Sequence, residues 1–264
     1  MDGTVGIALI SDAGDTVTVN NEHHYPLMSV MKLHQAIYIA HYLHENGLDI
    51  DHTINVREND LKPDTYSPLR DSFPQGAAIS VGQLLKYTLQ LSDNNACDIL
   101  FDISGGPKAT DSYIRSCGGL HDFAITVTED DMHRDTSLCH ANYTTPLEAA
   151  RLISKLCNGQ FGDTPGLQLV KSTLAGCLTG TERIPKGVGD TKATILHKTG
   201  TSDCDSHGKW TAINDVAHVT LPDGTSYSLA VFAKDSYGSY AEIEHAIARI
   251  SAIVYAHMAA QCAP

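Results

Sequence analysis

Ser29-Val30-Met31-Lys32 sets an amine one helical turn from a hydroxyl, so the two side chains share a face if a helix begins here. The amine can take the hydroxyl proton, and a helix N-terminus favours negative charge developing on nearby oxygen. Alone the pattern is weak, because Ser-x-x-Lys arises by chance about once in a chain of this length. Ser92-Asp93-Asn94 lies in a polar break between two apolar-periodic stretches, where helix capping is the ordinary explanation. Lys198-Thr199-Gly200-Thr201 follows an apolar run at 193–196, where a strand edge with a loose turn would account for it.

The set carries more than its parts. The three motifs stand in the order and in the contexts (helix start, interhelix break, strand) that penicillin-recognising serine enzymes use. Over nearly its whole length the chain resembles the class A β-lactamases, in particular the branch of Bacteroides-type cephalosporinases and extended-spectrum enzymes. Tyr66-Ser67-Pro68 is similar to the aromatic wall of that family's cleft. Thr179-Gly180-Thr181-Glu182-Arg183 resembles the segment through which the branch brings an arginine to the substrate carboxylate. Glu129 falls where the family keeps its water-activating glutamate, followed as in the branch by Met132 and His133. Three consecutive acids at 129–131 also fit a solvated acidic turn.

The resemblance implies hydrolysis of the β-lactam amide of cephalosporins and penicillins through a serine acyl-enzyme. Ser29 is then the nucleophile, with Lys32, or Glu129 through water, as base. Ser92 relays a proton to the departing ring nitrogen, and Glu129 activates water for deacylation with help from His133. Lys198, Thr199, Gly200, Thr201 and Arg183 form the carboxylate end of the site. Asn94 meets the acylamino group, Tyr66 lines the entrance, and the amides of Ser29 and Thr201 form an oxyanion hole. Glu129 separates this hydrolase from a D-alanyl-D-alanine peptidase, a penicillin-binding transpeptidase or a β-lactam sensor, which share the three motifs and hold their acyl group. Some features depart from the family. No arginine braces the start of the loop, where Val127 and Thr128 precede Glu129, and Asp98 stands where many relatives have asparagine. Met28 and Ser202 occupy the positions that form a disulfide in class A carbapenemases. The chain opens at the first strand without the family's first helix, which is expected to cost the closing helix a packing partner.

Positioning these residues requires a particular layout. A hairpin is expected from strands at 4–10 and 16–19, then a buried helix over 29–46. Helices follow at 80–91, with Ser80 and Gln83 as a capping box, at 95–103, and from Pro107 to 118. Residues 121–144 read as a long polar loop, which inside a compact domain is usually functional. Helices at 145–157 and 165–176, strands at 192–197, 210–221 and 226–233, and a helix at 240–258 complete the chain. Strands at both ends around a helical middle make an α+β fold of the β-lactamase/transpeptidase type, an antiparallel sheet flanked by helices. Residues 1–25 and 178–264 form a discontinuous α/β lobe and 26–177 an inserted all-helical lobe, with the site in the cleft between.

Composition narrows the partners. The 264 residues are 42% hydrophobic and 19% charged, enough for a substantial core. Eighteen basic against 31 acidic residues give a formal charge of −13 and leave no basic run for phosphates, so nucleic acid is excluded as a partner. An anionic β-lactam must therefore meet locally concentrated cations. Seven cysteines include no C-x-x-C, and Cys204 with His207 is half a zinc site without a second half, so no metal or cofactor is expected. No apolar run spans a membrane. A monomer, periplasmic or secreted, with any leader already removed, is the expectation.

Overall fold

The computed structural model describes residues 2–261. In chain order the elements are β1 (Asp2–Ser11), β2 (Thr16–Val19), β3 (Tyr25–Pro26), a 3-10 turn (Met28–Val30), α1 (Met31–Glu45), β4 (Thr53–Arg57), a second 3-10 turn (Glu58–Asp60), α2 (Pro68–Ser72) and β5 (Gly76–Ser80). Then come α3 (Val81–Gln90), α4 (Asn94–Ser104), α5 (Gly106–Gly118), β6 (Phe123–Ala124), α6 (Glu129–Arg134), a third 3-10 turn (Thr136–His140) and β7 (Tyr143–Thr144). The chain continues through α7 (Pro146–Cys157), α8 (Pro165–Ala175), α9 (Ile184–Val188), β8 (Thr194–Thr201), β9 (Lys209–Thr220), β10 (Ser226–Tyr237) and α10 (Tyr240–Gln261).

Five strands in the order β2-β1-β10-β9-β8, all antiparallel, form the main sheet. One of its faces is filled by Ile213, Leu229 and Val231 against Ile243 and Ile247 of α10 and Ile184 of α9. The other supplies Ala8, Val216 and Phe232 to a core that continues without a break into the helices around α1. That helix is buried on nearly every side, from Met31 through Leu43, because it lies between α4, α5, α7 and α8. Its low amphipathicity in sequence has this physical cause: a helix surrounded by neighbours needs no polar face.

The antiparallel sheet with flanking helices matches the expected fold, and three details differ. The 26–177 stretch is not purely helical, since β4 pairs with β5, and β3, β7 and β6 form a second small sheet. Two-residue strands such as β3 are too short to show alternation in sequence. Lys198-Thr199-Gly200-Thr201 does not follow its strand but forms the last half of β8. Ser29 sits in the 3-10 turn before α1 and not within the α-helix itself.

Candidate active site

Four segments bring the motif residues together. The first is the 3-10 turn holding Ser29, which packs against β8. Gly200 allows this approach, because a Cβ there would stand 2.5 Å from the Leu27 carbonyl oxygen. Asn214 of β9 ties the turn to the sheet by donating from Nδ2 to the Pro26 carbonyl at 2.8 Å, and the Leu27 amide donates to Asn142 O at 2.9 Å. Met28, just before the serine, is held at φ 46°, and Ser92 of the second segment at φ 59°. Non-glycine residues adopt this region at a cost that surrounding structure must offset, and such sites cluster where function demands a set geometry.

Lys32 lies at the centre, fully buried. Its Nζ is 3.0 Å from Ser29 Oγ, 2.7 Å from the Ser92 carbonyl, 2.7 Å from Asn94 Oδ1 and 2.9 Å from Glu129 Oε1. Four oxygens around an ammonium that has three protons leave one contact in excess, which a Ser29 proton shared with its neighbours can satisfy. Ser29 Oγ donates to Glu129 Oε1 at 3.2 Å. The serine oxygen thus accepts from Lys32 while its proton points to the Glu129 carboxylate, and Nζ becomes a second acceptor at 3.0 Å only when it has lost a proton.

Ser92 bridges to the third segment. Lys198 Nζ, also fully buried, donates to Ser92 Oγ and to the Thr199 carbonyl, both at 2.9 Å. Burial pulls its ammonium down to about 8. Asp93 does the capping the sequence suggested for the triplet. Its carboxylate accepts the Ala96 amide at the start of α4, and also the Leu69 amide and the Ser67 hydroxyl. One side chain thereby fixes Ser92 and Asn94 on one side and the Tyr66 segment on the other. Asn94 Nδ2 donates to Thr65 Oγ1 at 2.8 Å, so both ends of its amide are engaged. Tyr66 is 59% exposed at the mouth.

Glu129 opens α6, where Thr128 and Asp131 make a reciprocal capping box. Asp98 of α4 accepts the amides of Glu129 at 2.9 Å and Asp130 at 2.8 Å. Burial first, and then the Glu129 charge, push the Asp98 carboxyl up to about 7. At the other end Asn142 accepts the Thr126 and Val127 amides and donates to the Val127 carbonyl. Asp98 and Asn142 together do the bracing for which the sequence offered no arginine. His133, exposed and one turn beyond Glu129, faces the same cavity.

Arg183 is 1% exposed, and all five of its N–H donors are committed inside the chain. Nε donates to Glu244 at 3.0 Å, and Nη1 to the carbonyls of Gly200 and Asn214. Nη2 donates to Thr201 Oγ1 and Tyr240 Oη, both at 2.8 Å. Arg183 also lines the cavity, and a substrate carboxylate docking on it, as the sequence led us to expect, would compete with these bonds. Arg183 instead acts behind Thr201: because it only donates, Thr201 Oγ1 accepts from it and is left to donate outward. The sequence alone does not point to Asn142, Glu244 or the buried His197–Asp215 pair at 3.0 Å. None of these carries a spacing that signals a role. Among the described residues no three of His, Cys, Asp or Glu gather where they could hold a metal ion, and no helix is long and apolar enough to cross a membrane.

The assembled residues line one cavity of about 930 Å³, from Tyr66 and Asn94 through Ser29 to Thr199, Thr201 and the Asp203–Asp205 turn, with Glu129 and His133 opposite. Comparison with known proteins places this architecture. The model of the Beta-lactamase enzyme family matches residues 2–258. A β-lactamase of Phocaeicola vulgatus is 38% identical over 96% of this chain and 79% of its own length. The extended-spectrum β-lactamase PER-1 of Pseudomonas aeruginosa is 35% identical over 96% and 82%. The crystal structure of a class A β-lactamase from Bacteroides cellulosilyticus superposes with a TM-score of 0.92 at 36% identity, covering 97% of this chain and 92% of that one. A buried serine–lysine–glutamate cluster, a matching family model and these relatives lead to one assignment: the chain belongs to the β-lactamase enzyme family and is a class A enzyme, a hydrolase of β-lactam amides.

Proposed function

We propose that Ser29 attacks the β-lactam carbonyl and that Glu129 drives water onto the resulting ester. The observation that carries this is the contact of one hydroxyl with both Lys32 Nζ and Glu129 Oε1, at 3.0 and 3.2 Å. Either can take the serine proton in acylation, forming the Ser29 Oγ–acyl bond as the ring C–N bond breaks. Ser92, whose Oγ accepts from Lys198 and whose carbonyl accepts from Lys32, delivers its hydroxyl proton to the leaving nitrogen. The amides of Ser29 and Thr201 hold the carbonyl oxygen, with on the order of 3 kcal/mol expected per donor. Glu129, once Lys32 has passed its proton on, takes one from water, which attacks the ester and frees Ser29.

The substrate carboxylate docks on the hydroxyls of Thr199 and Thr201, with the Lys198 charge behind the first and Arg183 behind the second; Gly200 keeps the strand close to Ser29. Asn94 offers its amide to the acylamino group, Tyr66 flanks the entrance and His133 holds the water near Glu129. Of the lobes expected over 1–25 with 178–264 and over 26–177, residues 2–25 with 178–261 form one and 26–177 the other, the cleft running between them; residues 1 and 262–264 lie outside the described residues. A cavity of about 930 Å³ and the Arg183–Thr201 pair favour cephalosporins with bulky side chains over penicillins. The enzyme works as a monomer in the periplasm or outside the cell.

Turnover of a chromogenic cephalosporin and of a penicillin tests this. Many turnovers per enzyme, with the larger kcat/KM for an oxyimino-cephalosporin, are expected. A single stoichiometric burst would contradict hydrolysis, and a strong penicillin bias would contradict the preference.

A further inference from the structure

Behind the carboxylate end of the cleft runs a row of polar groups whose members behind Thr199 the mechanism above does not use. It begins at Asp215, fully buried on β9, whose Oδ2 is anchored by the Ile184 amide at 3.0 Å. Its Oδ1 meets His197 Nδ1 at 3.0 Å. The charge of His197 acts on the thiol of Cys177, which is partly exposed between α8 and Thr179. Cys177 Sγ is 3.4 Å from Thr179 Oγ1, and Thr179 Oγ1 is 2.6 Å from Thr199 Oγ1 at the cavity wall. Gly180 lets this segment lie against β8, since a Cβ there would stand 2.4 Å from Thr199 Cγ2.

We propose that Cys177 is a specificity-determining positioning residue, whose thiol proton orients Thr179 so that the hydroxyl of Thr199 is free to donate to the substrate's carboxylate. The proposal rests on the docking of that carboxylate at Thr199. Its logic is a count of protons. Each threonine hydroxyl has one proton to give. The Asp215 carboxylate holds His197 as an imidazolium, which has no lone pair to accept the thiol proton. The thiol proton then points to Thr179, whose hydroxyl at 3.4 Å is a nearer acceptor than its carbonyl at 3.8 Å. Thr179 accepts it and donates to Thr199, and Thr199 keeps its own proton for the cleft. Remove the thiol proton and the order reverses. Thr179 donates to the thiolate, Thr199 donates to Thr179, and Thr199 presents a bare oxygen to an anion. Arg183 enforces the outward polarity permanently at Thr201; Cys177 enforces it conditionally at Thr199.

The charges around the sulfur put that condition near neutrality. Burial pushes the thiol up, but the hydrogen bond and charge of His197, and the charge of Lys198, bring it down to about 7. Burial would lower His197, and Asp215 outweighs it, raising the imidazole to about 10. Groups facing the sulfur are therefore His197 and Lys198 from β8 and, behind them, Asp215 from β9. Arg183 on the same segment as Cys177 is already paired with Glu244 of α10.

Steady-state kinetics from pH 6 to 8.5 with a cephalosporin and with its carboxylate methyl ester test the proposal, in the wild type, Cys177→Ser and Cys177→Ala. A lost hydrogen bond to a charged group should raise KM for the acid roughly tenfold across a limb centred near pH 7 in the wild type. Serine keeps the donor and does not ionise, so Cys177→Ser should hold the low KM through that limb and retain only the later rise as Lys198 loses its charge. Cys177→Ala should show an intermediate KM without the limb. An unchanged limb in both variants, or the same limb with the ester, would overturn the proposal. Equal KM for acid and ester at every pH would overturn carboxylate docking at Thr199 itself, and this inference with it.

Discussion

At the scale of single residues, the site works by committing every donor. Lys32 has four oxygens within 3.0 Å, and Arg183 spends five N–H groups on five partners. Arg183→Ala should therefore do two things at once. It frees Thr201 to turn inward, raising KM for carboxylate substrates, and it leaves Glu244 and two carbonyls without their donor. A buried pair broken on one side typically costs about 3–5 kcal/mol, so thermal unfolding should fall along with affinity. A variant with raised KM and an undiminished unfolding temperature would show that the arginine is not integral to the fold. Ser29, Lys32, Ser92, Asn94 and Lys198 were legible from sequence because their spacing is local and their combination rare. The environment of Arg183 was not. Its partners Glu244 and Tyr240 lie 61 and 57 residues away, and nothing local distinguishes an arginine that touches substrate from one that braces a threonine.

At the scale of elements, the segment from β6 to β7, to which we assign the deacylation chemistry, shows how much a polar stretch can hide. It reads as loop, yet it contains α6 and a 3-10 turn, fastened at its start by Asn142 and at its middle by Asp98. The Asp98 carboxylate has two oxygens for two amides, at 2.9 and 2.8 Å. Asp98→Asn offers one oxygen and one NH2 group, so one amide of α6 loses its acceptor and Glu129 its register. Deacylation should slow by roughly tenfold, the value of about one hydrogen bond, while acylation is less affected, so the acyl-enzyme should build up at steady state. A steady-state rate and acyl-enzyme fraction equal to wild type would show that Asp98 does not position Glu129. Longer helices were readable from their caps and periodicity: Ser80, Thr145 and Thr164 each accept the amide three residues on. The short pieces, β3, β6, β7 and α9, owe their form to tertiary neighbours and leave no periodic trace.

At the scale of the whole molecule, a chain of net charge −13 concentrates buried cations in one place. Lys32, Lys198 and Arg183 are all at most 1% exposed, two of them bordering the cleft from β8 and its supporting segment. An anionic substrate is thus drawn to a local field that the overall charge opposes. The sheet and the helices share one continuous core, which holds Ser29, carried by the turn before α1, against Lys198 and Thr199 of β8 and Glu129 of α6. Intact-mass spectrometry after mixing with a cephalosporin reads out the chemistry of that three-way meeting. Glu129→Ala should accumulate one covalent adduct per chain, mapping to Ser29, while Ser29→Ala should carry none. Rapid loss of the adduct in Glu129→Ala, or an adduct on any other residue in Ser29→Ala, would contradict the account.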